Sequence, residues 1–527
     1  MKPTARNRPP TFLILAAAIG AIAIVLPLLY LILRTAGLGA GELWELLWRG
    51  RTRTVFVNSA VMAAAVTGFS ALIAVPLAFL TLRTDLPGRR FWLIGTTLPL
   101  AIPSYVGSFA LIATFGTKGS WLQLLLEPLG VERLPSIYGW SGAVLALTLF
   151  TYPYLLLSVR AGLQGLDPSL EEAARSLGHG RWSAFFRITL PQLRPSLVAG
   201  GLLVALYSLR DFGTPSLMRF DSFTRVIFTQ YRSSFDRHSA AALSLMLVVL
   251  AWLILWLEYR IRTRAAYYSS GSATRSPDVI PLGQWTVPAL LFCAIVTGLG
   301  LVLPFGVTLF WLIRGLNASG DLSPFEHLLP ATVNSVGAAA LAAMVAIVFA
   351  LPIAILSVRY PGRLTTLLER ASYIGFGLPG IVVALSLVFL GANYLPWLYQ
   401  SLPMLIFAYL ILFLPQSVGT VRSSLLQVDP KLEEAALSLG RNARQTLGEI
   451  TLPLVRPGLL GGAVLVFLTA MKELPATMLL SPIGFRTLAT EIWQATENVA
   501  FADAAAASLA LLLVSAGSTL FIIDKTT

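Results

Sequence analysis

Long apolar runs separated by short polar segments dominate this chain. Runs at about 12–33, 55–81, 91–115, 139–159, 195–214, 239–258, 285–313, 330–358, 371–391, 399–421, 457–475 and 501–523 match the roughly 20 residues a helix needs to cross hydrocarbon. The stretch Leu245–Leu257 is apolar on every helical face, unlike the alternating strands of a membrane barrel. The pattern predicts an all-α membrane protein with twelve transmembrane helices. The first run follows Lys2, Arg6 and Arg8. It is longer than a signal-peptide core and lacks a small-residue cleavage site, so it is read as an uncleaved span. The segment Thr263–Gly283 is rich in Ser, Arg and Pro and has no apolar period, which reads as a linker.

Among the polar segments one occurs twice. Residues 163–191 read LQGLDPSLEEAARSLGHGRWSAFFRITLP and residues 425–453 read LLQVDPKLEEAALSLGRNARQTLGEITLP. Glu171 and Glu433 are 262 positions apart, as are Pro191 and Pro453. Upstream, Asn58-Ser59 matches Asn334-Ser335, Pro76 matches Pro352, Arg83 matches Arg359 and Pro103 matches Pro379, all at offset 276. The chain therefore divides into a first half (1–262), the linker (263–283) and a second half (284–527). Each half carries six predicted spans in the same order. An even number puts both halves in the membrane the same way round, so they are parallel repeats related by a pseudo-two-fold axis along the membrane normal.

Composition agrees with the pattern. The 527 residues are 56% hydrophobic and 12% charged, against about 25% charged in soluble domains. Mean hydropathy is +0.76. The net charge of +13 reads as topogenic and does not imply nucleic acid, because Lys and Arg collect in cytoplasmic loops. With the N-terminus inside, the cytoplasmic segments hold about twice as many Lys and Arg as the external loops. That orientation leaves both termini and both repeated loops in the cytoplasm. Two basic clusters run against it: Arg49, Arg51 and Arg53, and Arg219, Arg225, Arg232 and Arg237. Cys293 stands alone in an apolar run and is read as packing.

The repeated loop has the chemistry of a short capped helix. Asp167-Pro168 and Asp429-Pro430 fit a helix start, where Asp accepts from free amides and Pro suits the first turn. Glu171, Glu172, Glu433 and Glu434 then fall where the helix dipole favours negative charge. Ala173-Ala174 and Ala435-Ala436 continue the helix, and Gly178 and Gly440 suit a left-handed stop. One such helix could simply lie on the bilayer; two at matched positions imply two matching sockets on a soluble partner. The pattern Glu-Ala-Ala-x3-Gly-x9-Ile-x-Leu-Pro, complete in both copies, resembles the cytoplasmic loop of type I, binding-protein-dependent ABC importer permeases. The resemblance implies that the short helices are coupling helices docking on two copies of an ABC ATPase subunit. It also implies a periplasmic or lipid-anchored solute-binding protein and a location in a bacterial inner membrane. The fused halves, with Asp-Phe-Gly-Thr-Pro at 211–215 and Lys-Glu-Leu-Pro-Ala-Thr at 472–477, are most similar to ferric-iron permeases. Permeases for thiamine or phosphonate share the fused form. No phosphate-cradling Gly-x4-Gly-Lys-Ser/Thr motif is present. The chain is therefore expected to be no enzyme and to bind no cofactor, with ATP and magnesium used by the partner.

Charge inside the spans is the second candidate site. Arg210-Asp211 and Lys472-Glu473 occupy equivalent places, 262 positions apart. Ionisable groups in hydrocarbon cost several kcal/mol unless paired or hydrated, so they are functional candidates. Pairing Arg210 with Glu473 and Lys472 with Asp211 across the axis would neutralise all four, and they are expected to form or flank a gate. The competing reading is a static charge pair near the interface. Tyr105, Tyr152, Tyr154 and Tyr373 are candidates to line the passage, but aromatics within spans are more often packing and they are not counted as site residues. His179, His238 and His327 are far apart and assigned to different loops, so no metal site is expected. The rival of another class is a twelve-span secondary transporter. Asp211 and Glu473 would suit its ion coupling, but it leaves the loop pair unexplained.

Overall fold

The computed structural model describes residues 9–166, 168–178, 180–233, 237–264, 279–319 and 327–526. Eight of the helices there are long and apolar enough to cross a membrane: Thr11–Ala36, Gly50–Arg83, Trp140–Gln164, His238–Leu257, Gly283–Asn317, Leu328–Arg359, Leu402–Leu426 and Leu447–Met471. His238, expected in a loop, lies within the helix Arg237–Arg264. Three more helix pairs pass together but are sharply bent, giving up to eleven spans, and Phe501–Ser515 is a shorter apolar helix. The described residues thus support eight to eleven spans; the twelve straight spans expected from the apolar runs are not reproduced.

Two of those runs break at equivalent places. Arg89–Ala101 meets Ser104–Phe115 at 100°, and Arg363–Gly377 meets Gly380–Tyr394 at 106°. The cause is Pro103 and Pro379. A proline pushes the preceding residue out of helical geometry, and Ile102 (ψ 119°) and Leu378 (ψ 122°) are extended. The residues on both sides of each corner are apolar, so a hydropathy profile passes through it without a dip. A second repeated irregularity lies after each loop helix, where Phe185–Thr189 and Leu447–Thr451 are single π turns.

The described chain forms two compact units, and neither is a contiguous half. One comprises Met1–Leu46, Ile227–Val248 and Phe325–Glu491; the other comprises Leu47–Val226, Val249–Pro324 and Ile492–Thr527. In the first, Thr11–Ala36 packs on Leu328–Arg359, Arg363–Ile374 and Gly380–Tyr394, with Tyr30 stacked on Phe389 at 6.0 Å. In the second, Leu303–Ser319 packs on Ser104–Phe115 and Phe501–Thr526 around Phe109, Ala113, Val307, Ala504 and Ala505.

Each unit contains the same helix trio: Gly50–Arg83, Trp140–Gln164 and Arg194–Arg210 in one, Leu328–Arg359, Leu402–Leu426 and Leu452–Met471 in the other. Small residues set the close approach, as is usual where lipid supplies no hydrophobic drive between helices. At Gly200 an added Cβ would lie 2.6 Å from Leu155 Cδ1, and at Gly462 it would lie 2.6 Å from Thr420 Oγ1. Of the expected linker, residues 265–278 lie outside the described residues. Its end docks on the long helix through a parallel bridge between Thr84 and Ile280, with Ile280 N donating to Arg83 O at 2.8 Å.

Candidate functional site

The two repeated loops build the same object. Each begins with a nine-residue helix, Pro168–Ser176 or Pro430–Ser438. In the second, Asp429 caps the start by accepting from Lys431 N at 3.0 Å; Asp167 and His179 lie outside the described residues. Gly178 (φ +88°) and Gly440 (φ +86°) take left-handed geometry just past the helix ends. Arg441 N then reaches back to Ala436 O at 3.1 Å, which satisfies an otherwise orphaned carbonyl.

One glutamate of each loop has an ion-pair partner. Glu171 and Glu433 turn inward, toward the end of the long helix before them. Arg83 Nη2 meets Glu171 Oε2 at 2.6 Å, and Arg359 Nε meets Glu433 Oε2 at 3.0 Å. A hydroxyl from the π turn completes each latch: Thr189 Oγ1 donates to Glu171 at 3.3 Å and Thr451 Oγ1 to Glu433 at 2.9 Å. Tyr360, the residue after Arg359, lies against this latch; burial and then the Glu433 carboxylate push its phenol above the ordinary value. Ala174 and Ala436, three positions on, are also buried at 4% and 5% exposure, as the helical period requires. The outer face carries Glu434, with Ala173 and Ala435 exposed. Glu172 takes the position equivalent to Glu434 on the first helix. Two leucine pairs at offset 262 join that outer face: Leu170 and Leu432 are 52% and 49% exposed, Leu177 and Leu439 82% and 85%.

At its far end each long helix holds a second repeated fixture. Asn58 Nδ2 donates to Asp221 O at 3.1 Å and Asn334 Nδ2 to Arg486 O at 2.9 Å. Ser59 Oγ accepts from Phe223 N at 3.0 Å and Ser335 Oγ from Leu488 N at 2.8 Å. These residues pin the short segment that follows Arg210-Asp211 in one unit and Lys472-Glu473 in the other.

Those charges sit at a helix break. Arg194–Arg210 ends, the chain turns at Asp211, and Gly213–Leu217 begins. Asp211 Oδ1 accepts from Thr214 N at 2.8 Å, Ser104 Oγ donates to the other carboxylate oxygen, and Thr224 Oγ1 donates to Asp211 O at 2.7 Å. In the other unit Lys472 caps Leu452–Met471 and Pro475–Leu480 follows. Glu473 Oε1 accepts from Ala476 N at 3.3 Å, and Thr477 Oγ1 donates to Glu473 O at 2.5 Å. Gly380 replaces Ser104 here, and a Cβ on it would stand 2.2 Å from Glu473 Oε1. Each carboxylate thus accepts a backbone N–H from the short helix that follows it, at the break between two helices.

The fixtures were written in the sequence as matched pairs without a visible purpose. Arg83 and Arg359 kept the repeat offset, and the variable residue of Ile-x-Leu-Pro is threonine in both copies. Among the described residues no group of three or more His, Cys, Asp or Glu is placed to hold a metal ion.

Comparison with known proteins agrees with this duplicated plan. Residues 70–267 and 342–524 match the family described as binding-protein-dependent transport system inner membrane component. The chain is 34% identical to the Fe(3+)-transport system permease protein FbpB 2 of Haemophilus influenzae, over 98% of this chain and 99% of that protein. It is 26% identical to the ferric transport system permease protein FbpB of Actinobacillus pleuropneumoniae, over 90% of this chain and 72% of that one. It is also 30% identical to the molybdenum transport system permease protein ModB of Escherichia coli (strain K12), over 40% of this chain and 96% of that protein.

Proposed function

Because the chain belongs to the family of binding-protein-dependent inner-membrane transport components, we propose that it is the permease through which an ATP-driven importer passes ferric iron. Membership in that family makes the chain the membrane subunit of an ABC importer, whose ATPase and solute-binding protein are separate partners. The iron assignment rests on the full-length similarity to a ferric permease.

One observation carries the division of labour. The loop helices present the same outer face twice, Glu434 and Ala435 with Leu432 and Leu439 in one copy, Ala173 with Leu170 and Leu177 in the other. Exposed apolar side chains grouped on a polar loop mark a binding surface. Each face receives one ATPase subunit, with ATP and magnesium held there and not by this chain. The inner face, through Arg83–Glu171 and Arg359–Glu433, passes the movement into the long helices. Arg210, Asp211, Lys472 and Glu473 flank the gate at the two elbows. Both termini lie in the cytoplasm of a bacterial cell, on the side of the loops. ATP and the loaded binding protein must bind the outward- and inward-open states unequally to drive the cycle.

The test is uptake of radioactive ferric iron by cells producing this chain with its ATPase and binding protein. Uptake should stop when the ATPase can no longer hydrolyse ATP. Accumulation by vesicles containing this chain alone would overturn the ATP-driven reading. Uptake of another solute, but not of iron, would overturn the cargo.

A further inference from the structure

Comparing the two elbows position by position isolates a cluster that only one of them has. In the second unit Thr469 Oγ1 donates to Gln416 Oε1 at 3.2 Å, one turn before Lys472-Glu473. The equivalent residues in the first elbow, 262 positions earlier, are Tyr207 and Tyr154. Their ring centroids are 5.7 Å apart. Tyr207 is also hydrogen-bonded to Ser104 and lies in the electrostatic field of Asp211, while Ser104 donates to Asp211. Two phenols, a hydroxyl and a carboxylate therefore form one continuous group. Tyr154, Tyr207 and Asp211 are all half-buried, whereas Ser104, Tyr105 and Phe212 behind them are buried. The cluster is partly accessible, with Ser104 at its buried end. Tyr105 backs it, and an added Cβ on Gly213 would stand 2.6 Å from its Cβ.

Resting on the ferric reading above, we propose that Tyr154, Tyr207 and Asp211 form a transient ferric-iron site in the passage, built in the first half only. Hard, highly charged cations select oxygen donors, and tyrosinate is a ligand that ferric iron accepts from proteins. On ligation each phenol gives its proton to water and its oxygen to the metal. Two phenolates and one carboxylate then carry three negative charges against the three positive charges of the ion. Arg210 interacts with Tyr154 and adds one positive charge, which favours a small anion completing the shell. A ligand set confined to one half gives the ion a single resting place. The elbow hydrogen bonds of Asp211 to Thr214 and Ser104 use part of the carboxylate. The site is correspondingly weak, as a place that must release its cargo requires.

The experiment compares the intact transporter with Tyr154→Phe/Tyr207→Phe, which keeps both rings and removes both donor oxygens. Ferric nitrilotriacetate is titrated into the purified transporter in nanodiscs, and iron uptake is followed in cells. The wild type should develop a visible phenolate-to-iron charge-transfer absorption, and the double variant should lack it. Uptake in the variant should fall by about tenfold or more, the lower end of what metal-site partners typically contribute. Gln416→Leu/Thr469→Val should leave the absorption intact. If the wild type imports iron while the Phe variant keeps both its absorption and its uptake rate, this site is refuted and the iron reading survives. If the wild type neither imports iron nor develops the absorption, the iron reading falls and the site with it.

Discussion

The two elbows solve one steric problem in opposite ways. The first pairs a short acid with a residue that reaches toward it, Asp211 with Ser104; the second pairs a long acid with a residue that makes room, Glu473 with Gly380. Both carboxylates then cap the start of the next short helix. The same exchange recurs where the helices cross. A Cβ on Gly162 would lie 2.3 Å from Ser196 Oγ, and a Cβ on Gly458 would lie 2.3 Å from Ser424 Cβ, with glycine and serine traded between partners. What the repeat has kept is the filled volume and the cap, while the side chains providing them have changed places. By contrast the loop latches kept their residues: Arg, Glu and Thr are the same in both copies. Packing tolerates a swap of equal volume, whereas a guanidinium–carboxylate pair has no equivalent substitute.

The most damaging way to test that contrast is to remove a latch. Arg83→Ala should destabilise the transporter by about 3–5 kcal/mol, the usual cost of leaving one partner of a buried ion pair alone. Arg359→Ala should cost less, because its pair is more exposed, 14% and 17% against 6% and 15%. Thermal melting in detergent gives the ranking, and equal losses would count against burial as the reason. Next comes the exchange at the elbow. Gly380→Ser alone should cost about 1–3 kcal/mol by overpacking. Adding Glu473→Asp writes the first elbow into the second and should recover most of it; absence of recovery in the melting curve would refute the compensation. Losing the π-turn hydroxyl is milder: Thr451→Val should cost about 1 kcal/mol, one hydrogen bond. Glu434→Ala should change stability by less than about 0.5 kcal/mol, as for an exposed position. It should still reduce the ATP hydrolysis that loaded binding protein stimulates, measured in reconstituted vesicles. A variant with full stimulation would remove Glu434 from the docking face.

Much of this was legible in the chain. The loop repeat, its capped helix and its glycine stop follow from residue types with strong local preferences, and Gly178 and Gly440 adopt the expected left-handed backbone. The broken spans were not legible. Pro103 and Pro379 stood out only as a matched pair, because the residues on both sides of each corner are apolar and a hydropathy window averages over the turn. The division between Glu433 and Glu434 was equally hidden. Neighbouring residues on a helix point about 100° apart, and which one faces inward depends on a distant arginine. Compensated pairs such as Ser104–Asp211 and Gly380–Glu473 are invisible to motif reading, since neither member matches its counterpart.

The membership of the compact units has a consequence in time. Thr11–Ala36 is finished early, yet its packing partners begin at Leu328. At about 5–20 residues per second, the ribosome needs roughly 15–60 s to reach them. For that interval the helix must wait in lipid with its docking face unfilled, a face of leucine, isoleucine and small residues that includes Leu13, Ile24, Leu31 and Gly20, whose added Cβ would meet Phe349 at 3.3 Å. Assembly of this chain is thus a late closure, in which the oldest segment is claimed by some of the youngest.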